Sequence, residues 1–238
     1  MQMTMNFQRY ESRSEAGIIL TKFIEEKDNE LFLDIKKNGN NYFCLCIPNG
    51  GVPVAESFCS KLKIRYDLLI VRKMKIPYNP EAGFGSITTD GTVLINDSLM
   101  EYLNLTEMDI NDAIEQTKLE IEERLEFYNK PKDLSTQYRH KIESKVIFLI
   151  DDGLASGFTM LAAINMVKKY NPMKVYVAVP IAPHRTIVKI DVKVDKVFCP
   201  KIKKTLRFAV ASAYRNWYDL SESEVLKIIR SSEYYRDR

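Results

Sequence analysis

Apolar residues along this chain follow two patterns: short unbroken runs, and stretches spaced three to four residues apart. "SEAGIILTKFIEEK" places Ala16, Ile19, Leu20, Phe23 and Ile24 at helical spacing behind Ser14 and Glu15, which predicts a first helix. "NYFCLCIP" at 41–48 is an apolar run bounded by turn residues, the pattern of a central strand. "NGGVPVAESFCSKLKI" opens with two glycines and continues with Val54, Phe58 and Leu62 on one helical face. "DLLIVRK" at 67–73 predicts the next strand, so this region reads as a βαβ unit with a right-handed crossover. Residues 73–85, with two prolines, two glycines and no clean period, predict a long mobile loop. "SITTDGTVLIN" predicts a hairpin with a tight two-residue turn at Asp90-Gly91. Residues 106–128 predict a long amphipathic helix, capped by Thr106, with Ile110, Ile114, Ile121 and Leu125 on its apolar face and a solvated charged face. Strand "KVIFLID", helix 157–170, strand "KVYVAVPIA", short strand "DKVFC" and a helix near 221–230 complete the chain. Unbroken apolar strands alternating with helices predict an α/β fold with a doubly wound, mainly parallel sheet.

Composition narrows the class without naming a function. At 238 residues, 45% hydrophobic and 28% charged, the chain suits one soluble globular domain with room for an insertion. A net charge of +3 is too small to argue for a nucleic-acid or membrane partner. No run approaches the length of a membrane span, and the N-terminus has no apolar signal core, so a cytoplasmic protein is expected. Cys44 and Cys46 share a strand face, Cys59 and Cys199 stand alone, and matching metal ligands are missing nearby; buried reduced thiols are expected.

The chemistry concentrates where predicted strands end, which in open α/β sheets is where ligands bind. "FLIDDGLASGFTML" at 148–161 stops an apolar run at Asp151 and Asp152, then supplies small residues before a helix. Such a loop lets backbone N–H groups turn inward ahead of a positive helix end, and this geometry holds a phosphate, with Ser156 and Thr159 as further donors. The P-loop and dinucleotide glycine patterns are absent. Two carboxylates beside a phosphate need other partners, and sugar hydroxyls with a hydrated Mg²⁺ fit. Together these features describe a phosphorylated ribose. Taken alone, the same motif equally describes aspartates that cap a helix and glycines that turn a chain.

"VIFLIDDGLASGFTM" resembles the PRPP-binding motif of type I phosphoribosyltransferases. With "FQRYESRSEAG", "CIPNGGVPVAESF", "DLLIVRKMKIPYNPEAGFGSI" and "WYDLSESEV", the chain resembles the branch labelled predicted phosphoribosyltransferases from about residue 7 to 230. The resemblance implies a single domain over 1–238, with a flexible-loop hairpin, a long helical insertion at about 97–140 and a small C-terminal hood at about 199–238. It implies that Asp151 and Asp152 take the ribose hydroxyls and meet Mg²⁺ indirectly. Ala155, Ser156, Gly157, Phe158 and Thr159 would wrap the 5′-phosphate. Asn49, Gly50 and Gly51 would form the pyrophosphate loop, joined by Arg72, Lys73 and Lys75 at the base of a flexible loop over roughly 74–86. Asp151, Asp152, Arg72 and Lys73 are the implied catalytic residues, and a homodimer is the implied assembly. The implied reaction moves the 5-phosphoribosyl group of PRPP to a nitrogenous acceptor with release of pyrophosphate.

Three positions depart from the family pattern. Ser156 stands where threonine is usual, Phe158 where a small residue is usual, and Asn49 where related sequences have arginine. Ala155 occupies the place at which some purine enzymes carry an acid. Asn49→Arg is therefore expected to strengthen PRPP binding. Acceptor contacts fall to Trp217, Tyr218 and His184, although packing is the favoured role for the two aromatics and a structural role for the histidine. Lys201, Lys203, Lys204 and Arg207 form either a solvated face or a patch for RNA or an acidic acceptor. A non-catalytic PRPP- or nucleotide-sensing regulator, with or without RNA binding, is the alternative function on the same scaffold. The acceptor base is not legible.

Overall fold

The computed structural model describes residues 9–205 and 208–236; Phe7, Gln8 and Arg207 lie outside them. The first helix starts earlier than its apolar pattern implies. Ser12 caps α1 (Arg13–Lys27) by accepting from the Glu15 amide at 3.1 Å, and Asp28 then caps α2 (Asn29–Lys37). β1 (Tyr42–Cys46) is buried at every position, as a strand covered on both faces must be. α3 (Gly51–Leu62) packs against α1 and leads into β2 (Arg65–Leu68).

The expected strand 67–73 is broken in two. β2 stays in the central sheet, whereas β3 (Val71–Ile76) starts another. At the break, the Ile70 amide donates to Thr89 Oγ1 at 2.9 Å, and that hydroxyl donates to the Ile70 carbonyl at 3.0 Å. A side chain from later in the chain replaces the ladder partner, so the local apolar run carries no sign of the break. Residues 74–86 are not an irregular loop either. β3 pairs antiparallel with β4 (Asn79–Thr88), which pairs with β5 (Val93–Ile95). The turn at Asp90-Gly91 is wider than two residues: the Thr88 amide reaches the Thr92 carbonyl at 3.0 Å, and Gly91 takes φ +79°.

α4 (Asp97–Tyr102), α5 (Glu107–Phe127) and α6 (Ser135–Ile142) follow as a helical segment. Thr106 and Asp109 form a capping box at the start of α5, and Ile121 and Leu125 are buried, with Ile110 and Ile114 partly so. A buried ion triad ties this segment to the sheet. Asp67 of β2 accepts from Lys130 at 2.6 Å and Lys141 at 2.8 Å, and Tyr138 donates to the Leu68 carbonyl at 3.2 Å.

β6 (Val146–Ile150), α7 (Phe158–Lys168) and β7 (Lys174–Ala178) return to the central sheet. The run "KVYVAVPIA" then splits around Pro180, which has no N–H to donate. β8 (Ile181–Pro183) turns away, α8 (His184–Asp191) and β9 (Lys196–Phe198) follow, and β10 (Lys201–Lys203) pairs with β8 in a small second sheet. α9 (Glu222–Ser231) closes the chain behind a Ser221–Glu224 capping box.

The central sheet is parallel throughout, in the order β2-β1-β6-β7-β9. The chain works outward from β1 to β2 on one side and from β6 to β9 on the other, so strand order reverses between β1 and β6. That reversal opens a crevice at their carboxyl ends. All four cysteines are buried and free. No helix among the described residues is long and apolar enough to cross a membrane.

Candidate active site

Two loops meet in that crevice. After β1 come Asn49, Gly50 and the first residue of α3, Gly51; after β6 come Asp151 and Asp152. Gly50 is required by this approach, because a Cβ there would lie 2.6 Å from Asp152 Cγ. Gly50→Ala is expected to push the two loops apart, at about 1–3 kcal/mol of stability, and to weaken ligand binding measured by calorimetry. An unchanged melting temperature and unchanged affinity would show that the contact does not matter.

The two aspartates are differently placed. Burial pushes the Asp151 carboxyl well above its usual range, and repulsion from Asp152 adds to the shift. Burial also raises Asp152, against the pull of Arg13. Arg13 Nε donates to Asp152 Oδ2 at 2.7 Å, while its Nη1 donates to the Tyr218 carbonyl at 2.9 Å. Its guanidinium lies 4.0 Å from the Trp217 ring centroid, a cation–π contact. Tyr214 donates to the Asp152 carbonyl at 2.5 Å. The first turn of α1 and the tail thus meet at Asp152, Arg13 on its carboxylate and Tyr214 on its backbone carbonyl.

The loop before α7 carries the residues expected to wrap a phosphate, Ala155 to Thr159. Gly157 caps the helix with φ +82° and makes no side-chain bond itself, while the first helical amide, Phe158 N, donates to Ser156 Oγ at a long 3.5 Å. A Cβ at Gly157 would also lie 2.7 Å from Thr186 Cγ2. The Thr186 hydroxyl donates to the Ala155 carbonyl at 2.6 Å, and Leu154 N to the Ile181 carbonyl at 3.0 Å, which fixes the loop from behind. Ala155 and Ser156 are exposed, Phe158 and Thr159 half-buried.

A cavity of about 300 Å³ gathers Asn49, Gly50, Arg72, Asp152 and Trp217 from the sequence-derived set. It adds Arg13, Arg124 and Asp219, which sequence reasoning missed. Arg13 did leave a signal: a cation in the first turn of a helix sits at the positive end of the dipole and so calls for a partner. Arg124 and Glu120 belong to the face of α5 expected to be merely solvated. Instead, Glu120 accepts from Arg72 at 3.3 Å and from Lys75 at 2.5 Å. Register shifts beside Lys75 put Arg72 and Lys75 on one carboxylate, whereas Lys73 runs across the hairpin against Gly83.

Trp217 and Tyr218 are 36% and 52% exposed; Trp217 packs on the buried Tyr214 ring, with centroids 5.6 Å apart, whereas Tyr218 is largely open. Trp217 also forms a wall of the cavity under Arg13. His184 is exposed at the start of α8, outside that wall. Among the tail lysines, Lys201 places its ammonium 3.3 Å from the Tyr10 ring centroid, and Lys201 and Lys203 are held in β10. A larger cavity of about 770 Å³ opens at the amino ends of β1 and β2, lined in part by Lys63, Arg65 and Lys145. It shares no residue with the convergent loops, and strand-end chemistry favours the smaller one.

The model of the phosphoribosyl transferase domain family matches residues 9–213. Two Mycobacterium tuberculosis proteins, from strains CDC 1551 and H37Rv, provisionally named phosphoribosyl transferases, are 33% identical over 193 residues. The match covers 81% of this chain and 42% of theirs, so the chain spans about two fifths of the length of these curated relatives. An adenine phosphoribosyltransferase of Bacteroides fragilis is 48% identical over 63 residues, 25% of this chain and 35% of that one. The crystal structure of TT1426 from Thermus thermophilus superposes with a TM-score of 0.69 at 24% identity, covering 93% of this chain and 97% of the other, a likeness of fold.

Proposed function

Because the chain belongs to the phosphoribosyl transferase domain family, we propose that it binds PRPP with Mg²⁺ and transfers the 5-phosphoribosyl group to a nitrogenous acceptor, releasing pyrophosphate. The whole chain is read as one such domain, with α4–α6 as its insertion and β10–α9 as its hood. The observation that carries the reading is the contact of Gly50 with the Asp152 carboxylate at the strand-order reversal. It brings a glycine loop suited to a diphosphate against an acid pair suited to a ribose diol, three residues ahead of an anion cradle.

In this arrangement Asp151 and Asp152 accept from the ribose hydroxyls and hold the ring. The amides of 155–159, with the Ser156 and Thr159 hydroxyls, hold the 5′-phosphate. Asn49, Gly50, Gly51 and Arg72 face the diphosphate; Lys73 and Lys75 stand on the adjoining hairpin. The acceptor then displaces diphosphate at C1 through a transition state with charge on the ring carbon and the leaving oxygens, as in glycosyl transfer. The protein need form no covalent bond: alignment, neutralisation of the leaving group and exclusion of water suffice. Trp217 and Tyr218 are the aromatics assigned to a flat acceptor, Trp217 from the cavity wall, where its ring also carries Arg13.

The residues present fit Mg²⁺. Two hard carboxylates lie together, and no cluster of three His, Cys, Asp or Glu side chains forms a complete cage among the described residues. Mg²⁺ is ordinarily held by one or two carboxylates together with substrate phosphates and water. When bound it would neutralise diphosphate charge.

Calorimetric titration of PRPP, with and without Mg²⁺, followed by a screen of bases for pyrophosphate release, tests the proposal. Saturable Mg²⁺-dependent binding with turnover is expected. Absence of binding would remove the reading. Binding without turnover on any base would favour a PRPP sensor, a role to which the Arg13 hold on Asp152 also lends itself.

A further inference from the structure

We propose that Arg124, on the inserted helix α5, is a diphosphate-binding residue of this site, an inference that rests on the phosphoribosyltransferase reading above. Arg124 lines the same cavity as Gly50, Arg72 and Asp152, although it comes from a segment 75 residues beyond Asn49 in the chain. Its Nη1 donates to Asn49 Oδ1 at 2.8 Å, and Tyr128, one turn later, donates to the same oxygen at 3.3 Å. Asn49 Nδ2 in turn donates to the Leu220 carbonyl at 2.7 Å. The Asn49 amide is therefore engaged on both sides by protein. It acts as a connector that fixes a guanidinium beside the loop.

The charges around the cavity support the same assignment. Arg13 is committed to Asp152. Arg72 and Arg124 are each held by a carboxylate outside the cavity wall: Glu120 at 3.3 Å for Arg72, Glu222 at 2.7 Å for Arg124. In the ligand-free protein each acid competes for its arginine from outside the cavity, whose lining sets three arginines against two carboxylates, Asp152 and Asp219. Arg124 is 19% exposed, so its planar fork is partly desolvated, which strengthens charge-assisted bonds to phosphate oxygens. Diphosphate carries the densest charge of the proposed substrate, and the proposed function sets it against the Asn49–Gly51 loop, which this guanidinium adjoins. Asn49→Arg, by contrast, would set a second guanidinium against Arg124 and break all three Asn49 bonds, so it is not expected to strengthen binding.

The test titrates inorganic pyrophosphate and ribose 5-phosphate separately, with Mg²⁺, into wild type, Arg124→Ala, Arg124→Lys and Glu222→Gln. Arg124→Ala is expected to lose about 10- to 100-fold in pyrophosphate affinity, the loss typical of a charged hydrogen bond, with little change for ribose 5-phosphate. Arg124→Lys should recover part of the loss, because charge returns without the fork. Glu222→Gln should tighten pyrophosphate binding by releasing the guanidinium. Equal losses for both ligands in Arg124→Ala, or weaker pyrophosphate binding in Glu222→Gln, would overturn the assignment and leave Arg124 as a brace for Asn49. If Arg124→Ala fails to fold, the lysine and glutamine variants decide. Wild type that binds ribose 5-phosphate but not pyrophosphate would sink the inference alone; wild type that binds neither would sink the underlying reading with it.

Discussion

Asp151→Asn combined with Asp152→Asn is expected to abolish PRPP binding, a loss of more than about 100-fold for two charged hydrogen-bond partners removed together. Calorimetry checks it, and unchanged affinity would refute the site. A companion measurement separates loss of function from loss of fold. Asp151 has a raised carboxyl pKa in the folded protein, caused by burial and then by Asp152. The folded state therefore holds the proton more tightly than the unfolded state. The stability this contributes is present below the ordinary carboxylate range and is lost as pH rises through the folded value. At neutral pH the raised Asp151 carboxyl is a cost to the ligand-free protein, of the kind functional sites commonly carry. Asp151→Asn alone should thus weaken PRPP binding yet raise the melting temperature at neutral pH, and flatten its decline from acidic to neutral pH. A lower melting temperature at neutral pH would mean that the carboxylate stabilises the fold.

Asp67→Ala is expected to cost about 3–5 kcal/mol, because it leaves Lys130 and Lys141 as buried, uncompensated charges. In a chain of this size that corresponds to a fall of roughly 6–20 °C in melting temperature. The helical insertion should loosen first, since the triad, with Tyr138, ties it to β2. PRPP affinity should fall as well if α5 carries Arg124 into the site. Replacing all three residues together, as Asp67→Leu, Lys130→Met and Lys141→Met, should restore most of the stability, because a matched apolar set bears no desolvation cost. A triple variant no better than Asp67→Ala would show that the ion pairs themselves hold the segment.

The fold class was legible because its determinants are local. β1 and β6 are unbroken apolar runs, α5 announces itself by period and by its Thr106 cap, and the glycine loops follow directly on strands. The strand ends marked Asp151, Asp152 and Asn49–Gly51 for the same reason: a charge or a glycine that ends a buried run is conspicuous in one dimension. The split of 67–73 into β2 and β3 was hidden, because the partner that breaks the ladder is the hydroxyl of Thr89.

The amino-acid sequence by itself determined a parallel α/β sheet and the two loops at its strand-order reversal, since hydrophobic period and glycine position act within a few residues. Only the tertiary structure decided which charges serve those loops. Glu120 and Arg124 look like ordinary polar residues of a helix surface, Arg13 signals only that it wants a partner, and each acquires its partner across the fold, at Arg72, Asn49 and Asp152 respectively. An ion pair or hydrogen bond is selected by distance in space, and sequence separations of 139, 48 and 75 residues leave no trace of that distance in the chain.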